Sequence, residues 1–425
     1  GQSGTLLLTI QGELEVSSQP VFEKDKISED AESILFDGDG DGDLDLYVCS
    51  GGTEFSQSSS ALKDRYYIND GKGLFTKSDQ FLPSPKGYFS TGTVSASDID
   101  GDGDIDLFIG ERMKPVNYGV AGSGFLLIND GTGMFTHSVP EDFVDLGMVT
   151  SSSFTDLDLD GDDDLIVTGE FMGILTFQNN SGEFSKITNN MEELKGWWRT
   201  IETVDIDGDG DKDLLVGNHG LNSRFRASNA EPIQLYLNDF DNNGFIDPIL
   251  TGYADDGKEY PYALRHNLID QIKSLKKRFP DYASYKDAPM DQIFTPEEIE
   301  ASDILKVNTL ETRLFINEGD FKFTSVSLPV GAQLSPVFAI RAGDFDADGD
   351  MDVILGGNLY AAKPEVGRYD ASYGTYLEND GKGNLSLAKN SRGFRVDGEI
   401  RDILVDGKSI LISRNNDSLV KLAIK

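Results

Sequence analysis

The stretch at 98–106 reads Asp-Ile-Asp-Gly-Asp-Gly-Asp-Ile-Asp and runs at once into the apolar Leu107-Phe108-Ile109-Gly110. Acidic side chains at loop positions 1, 3, 5 and 9, with glycine at position 6 for the sharp turn, make a cage of hard oxygens of the kind Ca²⁺ prefers. The cage recurs. It is formed by Asp37, Asp39, Asp41 and Asp45; by Asp98, Asp100, Asp102 and Asp106; by Asp156, Asp158, Asp160 and Asp164; and by Asp205, Asp207, Asp209 and Asp213. A variant follows at Asp239, Asp241, Asn243 and Asp247, and a sixth copy at Asp344, Asp346, Asp348 and Asp352. Position 7 offers a backbone carbonyl from Asp43, Asp104, Asp162, Asp211, Phe245 or Asp350. The expected complement is about six Ca²⁺ sites.

The first half of this pattern is shared with an EF-hand, which closes its loop with a bidentate Glu at position 12 and lies between helices. Here position 12 is Val48, Ile109, Val167, Val216, Leu250 or Leu355, within or beside an apolar run of buried-strand character. The loop therefore joins two β-strands. A bare hairpin turn would explain one copy but not six with the same acidic positions. Protein oxygens from positions 1, 3, 5, 7 and 9 leave little open coordination, so the metal is read as structural rather than catalytic.

The loops begin at 37, 98, 156, 205, 239 and 344, a spacing of about 50 to 60 residues where undisturbed. Hairpins fill the intervals, as in Tyr66-Tyr67-Ile68-Asn69-Asp70-Gly71 and Phe125-Leu126-Leu127-Ile128-Asn129-Asp130-Gly131, with matching runs at 314–319 and 376–383. Four short strands per unit are what a propeller blade needs. The expectation is one all-β domain over 1–425, a seven-bladed β-propeller with six caged blades and a seventh, from Arg401 onward, without a cage. That last blade lacks a fourth strand, and strands within 1–20 are expected to complete it and close the ring. Residues 260–309 break the period. Leu264, Leu268, Ile272, Leu275 and Phe279 recur at helical spacing until Pro280, and Thr295-Pro296-Glu297-Glu298 reads as a capping box, so a helical insertion in the fifth blade is expected, either capping the propeller or docking a partner.

Composition limits the partners. Lys and Arg number 37 against 74 Asp and Glu, a formal charge of −37, which argues against nucleic acid or an anionic membrane surface. Six filled cages would offset about 12 of those charges. Cys49 is the single cysteine, so no intramolecular disulfide forms. Loops of this type fill at roughly 0.1 to 1 mM metal, which places the chain outside the cell. No apolar run of transmembrane length is present. The chain opens directly onto strand-like sequence, so it is expected to be a mature or proteolysed piece with its targeting signal upstream.

The repeat resembles the FG-GAP/VCBS repeat known from integrin α-subunit propellers and many bacterial surface proteins. Three further stretches, Gly196-Trp197-Trp198-Arg199, Leu235 to Pro248, and Gly367-Arg368-Tyr369-Asp370-Ala371, are similar to the cartilage-acidic-protein-like family. They are similar in particular to the C-terminal propellers of long surface proteins in bacteria with SusC/SusD-type uptake. That resemblance implies an extracellular, often lipid-anchored location at the outer membrane, a protein partner such as a SusC/SusD-like transporter, and no established catalysis. Asn243 and the cage-free last blade depart from the family pattern.

The expected function is therefore a non-catalytic, calcium-binding protein-interaction or scaffold module at the cell surface. The alternatives are a glycan-binding module or a polysaccharide-processing enzyme. His137, His219 and His266 lie in no nucleophile or ligand motif. Trp197-Trp198-Arg199 could stack on a sugar, anchor a partner or pack between blades. Arg224, Arg226, Arg368 and Tyr369 are further candidates for a binding face.

Overall fold

The computed structural model describes residues 7–11, 13–17, 19–363 and 366–424, with side chains from 17 onward. Every caged unit begins with a strand that ends at its metal loop, turns through the loop, and returns as an apolar second strand. In the first blade Glu29–Phe36 pairs antiparallel with Asp45–Gly51, which pairs with Arg65–Asn69 and then Phe75–Lys77. The second blade is Ser90–Ser97, Asp106–Met113, Gly124–Asn129 and Phe135–Ser138. The third is Met148–Thr155, Asp164–Met172, Leu175–Asn180 and Glu183–Ile187. Second strands such as Asp164–Met172 are buried along their whole length because neighbouring blades cover both faces, hence their unbroken apolar sequence.

The fourth blade departs from this order. Thr200–Val204 and Asp213–Gly217 are completed by Arg313–Asn317 and Phe323–Ser327, after a long excursion. Within that excursion the fifth metal loop sits in a separate sheet, ordered Glu259–Pro261, Asp247–Tyr253, Ile233–Asn238, Asp303–Val307. The next blade is Val337–Gly343, Asp352–Gly357, Thr375–Glu378 and Ser386–Leu387, and the last is Ile400–Asp406, Ser409–Arg414 and Val420–Ala423.

First strands pack in the succession of blades one, two, three, four, then that of Val337–Gly343, then that of Ile400–Asp406. Among the described residues six sheets therefore form this succession, where the repeat leads one to expect seven blades, and the sheet of the fifth loop lies outside it. Local sequence does not separate it, because its loop carries the same carboxylates for the same local reason.

The N-terminal strands also differ from expectation. Leu7–Gln11 and Glu13–Ser17 pair with one another, and among the described residues no strand joins the last blade as a fourth. One residue separates them, so the local hairpin closes before a distant pairing can form. Residues 1–6, part of that expected closing segment, lie outside the described residues.

The helical segment follows Glu259–Pro261. Its predicted single run is two short helices, Arg265–Gln271 and Leu275–Arg278, then Tyr282–Tyr285, Met290–Ile293 and Pro296–Glu300. Helices this short are held by packing rather than by their own cooperativity. Leu268, Ile272, Leu275 and Phe279 accordingly bury against Phe240 and Ile249 of the inserted sheet. The capping box is present: Glu298 N donates to Thr295 Oγ1 at 3.2 Å, and Thr295 N to Glu298 Oε2 at 2.7 Å. The insert packs Ile233, Leu235 and Val307 against Met148, Phe171 and Trp197, at the end of the blades opposite the metal loops.

Candidate metal centres and the axial channel

Each acidic loop is held by its own backbone. In the second loop Asp98 accepts from Gly101 N at 2.9 Å and from Gly103 N at 3.1 Å, so one carboxylate fixes both halves of the turn. Asp37, Asp156, Asp205 and Asp239 do the same in their loops. Glycine at position 6 is required: Gly42, Gly103, Gly161, Gly210, Gly244 and Gly349 all have φ between 89° and 106°.

Position 9 stands at the root of the loop and is buried. Asp106, 1% exposed, accepts from Ile99 N at 3.0 Å and from Asn129 N at 2.7 Å, joining loop, second strand and third strand. Asp164 and Asp213 repeat this arrangement. In the first blade and in that of Asp352, a tyrosine hydroxyl replaces the loop amide: Tyr66 donates to Asp45, and Tyr376 to Asp352 Oδ2 at 2.5 Å. Burial, only partly opposed by these amide donors, pushes Asp106 and Asp213 up to about 6 and Asp164 to about 7.

The carboxylates converge. Ligand oxygens within 4.8 Å of one another come from Asp98, Asp100 and Asp106; Asp156, Asp158 and Asp164; Asp205, Asp207 and Asp213; Asp239, Asp241 and Asp247; and, in the first loop, Asp37, Asp39 and Asp41. Position 5 also engages the loop: Asp41, Asp102, Asp160, Asp209 and Asn243 each accept from the amide of position 7. Asp43 Oδ1, Asp211 Oδ1 and Asp350 Oδ1 at position 7, with Asp158 Oδ1 and Asp241 Oδ1 at position 3, are shielded from water without a hydrogen-bond partner. Buried carboxylate oxygens left bare are costly, and a divalent cation among them removes that cost, so the donor set fits Ca²⁺. Sequence reasoning gave position 7 only a carbonyl; its aspartate side chains enter this shielded region as well. Phe245 has no such side chain, and its ring is 65% exposed.

The sixth loop carries a competitor. Arg392 Nη2 lies 2.8 Å from Asp346 Oδ2, and its Nε also donates to Glu378 at 2.5 Å. A guanidinium therefore already stands against the position-3 carboxylate there.

A second polar centre runs along the axis. A channel of about 820 Å³ is lined by first-strand residues of all six blades, including Glu32, Gly92, Ser151, Ile201, Arg341 and Asp402. Toward the end that carries the insert, Glu170 accepts from Arg112 at 3.0 Å, from Arg199, and from the Tyr118 hydroxyl at 2.9 Å. Burial alone would raise this carboxyl, but the two guanidiniums outweigh it and hold Glu170 at about 2. Trp197 stacks edge-on to His219 at 5.2 Å between centroids, and His219 to Tyr369 at 4.8 Å. Burial and the Arg199 charge press His219 down to about 3, leaving it neutral. Trp198 is fully buried and donates to Leu194 O at 3.1 Å. Both tryptophans thus pack within the fold. Arg224 lies over Phe225 and Tyr262, and Arg368 over Tyr360. His266 bonds Tyr282 on the helical insert.

Residues 37–109 and 156–216 match the family model of the FG-GAP-like repeat. No curated protein sequence matches the chain. Among solved structures it is similar to the exotype rhamnogalacturonan lyase YesX, at 12% identity and a TM-score of 0.40, over 99% of this chain and 59% of that one. The chain thus spans about three-fifths of that lyase's length. Residues 37–109 and 156–216 thus carry FG-GAP-like repeats, within an all-β chain of successive antiparallel sheets whose arrangement is propeller-like.

Proposed function

We propose that the chain is a calcium-stabilised, non-catalytic interaction module that works outside the cell as one component of a surface assembly, of the outer-membrane transporter kind. The observation that carries this reading is the face formed by the acidic loops. Leu44, Leu159 and Met351 stand within the loops at 52%, 64% and 40% exposure, and Leu74 and Met134 on adjoining hairpin turns at 53% each. Apolar side chains held in a strongly acidic field suit a partner whose surface is basic around an apolar centre. Calcium would order the loops that present them, so binding and metal loading are coupled.

The glycan-binding alternative calls for exposed aromatic side chains at a channel mouth, whereas Trp197 and Tyr369 are buried there. The test is co-purification of the chain with outer-membrane transporter proteins from cells of its source after cross-linking, with surface exposure checked by protease accessibility on intact cells. The reading requires association that is lost on chelation and in Leu159→Asp with Met351→Asp. Association untouched by both changes, or a chain inaccessible at the surface, would refute it.

A further inference from the structure

Arg199 and Arg401 stand over the ring of Phe338, with guanidinium carbons 5.4 and 4.1 Å from its centroid. All three line the axial channel, together with Arg112. Two cations gathered at one ring in a partly enclosed site repel each other, and burial together with the Arg199 charge lowers Arg401 against the pull of Glu399.

Elsewhere in the channel every arginine has a carboxylate partner, and carboxylates outnumber arginines. Arg341 pairs with Glu202 at 3.1 Å and lies 3.6 Å from Asp402, Asp30 pairs with Arg65 at 2.6 Å, and Glu32 accepts the Val94 amide at 3.1 Å. At the Phe338 end the ratio reverses. Arg112 and Arg199 share one carboxylate, Glu170, while Arg401 has Glu399 at 2.8 Å. Three guanidiniums face two carboxylates, an excess of one positive charge inside a chain of net charge −37.

A separate observation bears on Arg199. Among the described residues, the buried polar atoms without a hydrogen bond fall mainly into two groups. One is the set of loop aspartate oxygens, which a cation accounts for. The other is Trp197 Nε1, Arg199 Nε, His219 Nε2 and Tyr369 Oη. Trp197, His219 and Tyr369 are linked ring to ring, and the Arg199 charge acts directly on His219. An indole N–H and a guanidinium N–H only donate, and a phenol hydroxyl donates readily, so three of these four atoms call for an acceptor.

We propose that this end of the channel, built by Arg112, Arg199, Phe338 and Arg401, binds a small organic monocarboxylate. The single excess charge matches one carboxylate better than a phosphate dianion, and the planar guanidinium fork fits two carboxylate oxygens at once. Phe338 favours an organic body on that carboxylate over a bare inorganic anion. The site is at the end opposite the calcium loops and does not depend on the surface-assembly reading.

The test uses D-glucuronate as probe, with glucose as its uncharged counterpart and inorganic phosphate as the competing anion, read by calorimetry on the calcium-loaded chain. Glucuronate is expected to bind in the millimolar range or tighter, with affinity falling as salt rises, and Arg401→Gln is expected to weaken it about ten-fold or more, the loss of one charge-assisted contact. The melting temperature of the variant shows that it is folded. If Arg401→Gln does not fold, Phe338→Leu supplies the second variant and must weaken the same binding. Glucose binding as tightly as glucuronate, phosphate binding more tightly than it, unaltered affinity in a folded variant, or no heat with glucuronate at millimolar concentration would each overturn the proposal.

Discussion

Asn379 donates its side-chain amide to the carbonyl of Ile206 at 2.7 Å across 173 residues of sequence. The bond ties the third strand of one blade to the metal loop of the blade before it, and it passes over the inserted sheet altogether. Asn129 reaches Gly38 O at 2.8 Å, Asn179 reaches Ile99 O at 2.8 Å, and Asn317 reaches Leu157 O at 2.9 Å in the same manner. In the inserted sheet Asn238, at the end of the strand that precedes the loop, bonds Glu298 O on its own helical segment. These asparagines state the ring order in hydrogen bonds.

Removing one staple leaves a buried carbonyl bare, at a cost of about 1–3 kcal/mol. Asn379→Ala is therefore expected to lower the stability of the calcium-loaded chain by that amount in denaturant unfolding. Asn238→Ala, whose bond stays inside the insert, is expected to leave the main transition unchanged.

Arg392 occupies the position-3 carboxylate of the sixth loop, so calcium there must displace an ion pair. Of the six loops this one is expected to load last. Arg392→Gln is expected to tighten the weakest phase of a calcium titration, and a titration unchanged by the substitution would contradict the assignment.

Asp64 gives the metal-free chain a defined pH response. It is 1% exposed and accepts from Ser50 N at 2.7 Å, Thr91 Oγ1 at 2.7 Å and Tyr47 Oη at 2.9 Å, yet burial outweighs these donors and pushes it up to about 7. A carboxyl that binds its proton more tightly folded than unfolded stabilises the fold as pH falls through its folded value. The metal-free protein is accordingly expected to gain stability from about pH 8 to pH 5, with the gain levelling off near the ordinary carboxylate range of about 4. Asp164 and Asp213 act in the same direction. Asp64→Asn is expected to flatten part of the slope. With calcium present, protons compete with the ion at the loops, so the stabilisation that calcium adds is expected to shrink over the same interval.

Much of this was legible in the sequence, and the reasons are local. Loop carboxylates, position-6 glycines and apolar second strands are fixed by contacts within about a dozen residues, so their spacing carries them. The blade count was not legible, because the loop at 239–247 has the same local chemistry whether or not its sheet faces the axis. One sequence signal does distinguish it. Asn238 directly precedes its loop, whereas Asn69, Asn129, Asn179, Asn317 and Asn379 follow theirs as the ends of third strands. Arg392 reaches Asp346 from beyond the last strand of the same blade, and the arginines at Phe338 come together from neighbouring blades. No spacing rule reaches them.

We propose that the acidic loops hold calcium and that the metal supports the fold. At a Kd of about 0.1 mM and free calcium of about 1 mM, each filled loop adds about 1.4 kcal/mol, so several together rival the net stability of a domain. The direct measurement is thermal unfolding with and without excess chelator, paired with elemental analysis of bound calcium. About five or six Ca²⁺ per chain and a large fall in melting temperature on chelation are expected. A substoichiometric metal count with an unchanged melting temperature would show that the loops are turns held by their own aspartates alone, and would contradict the proposal.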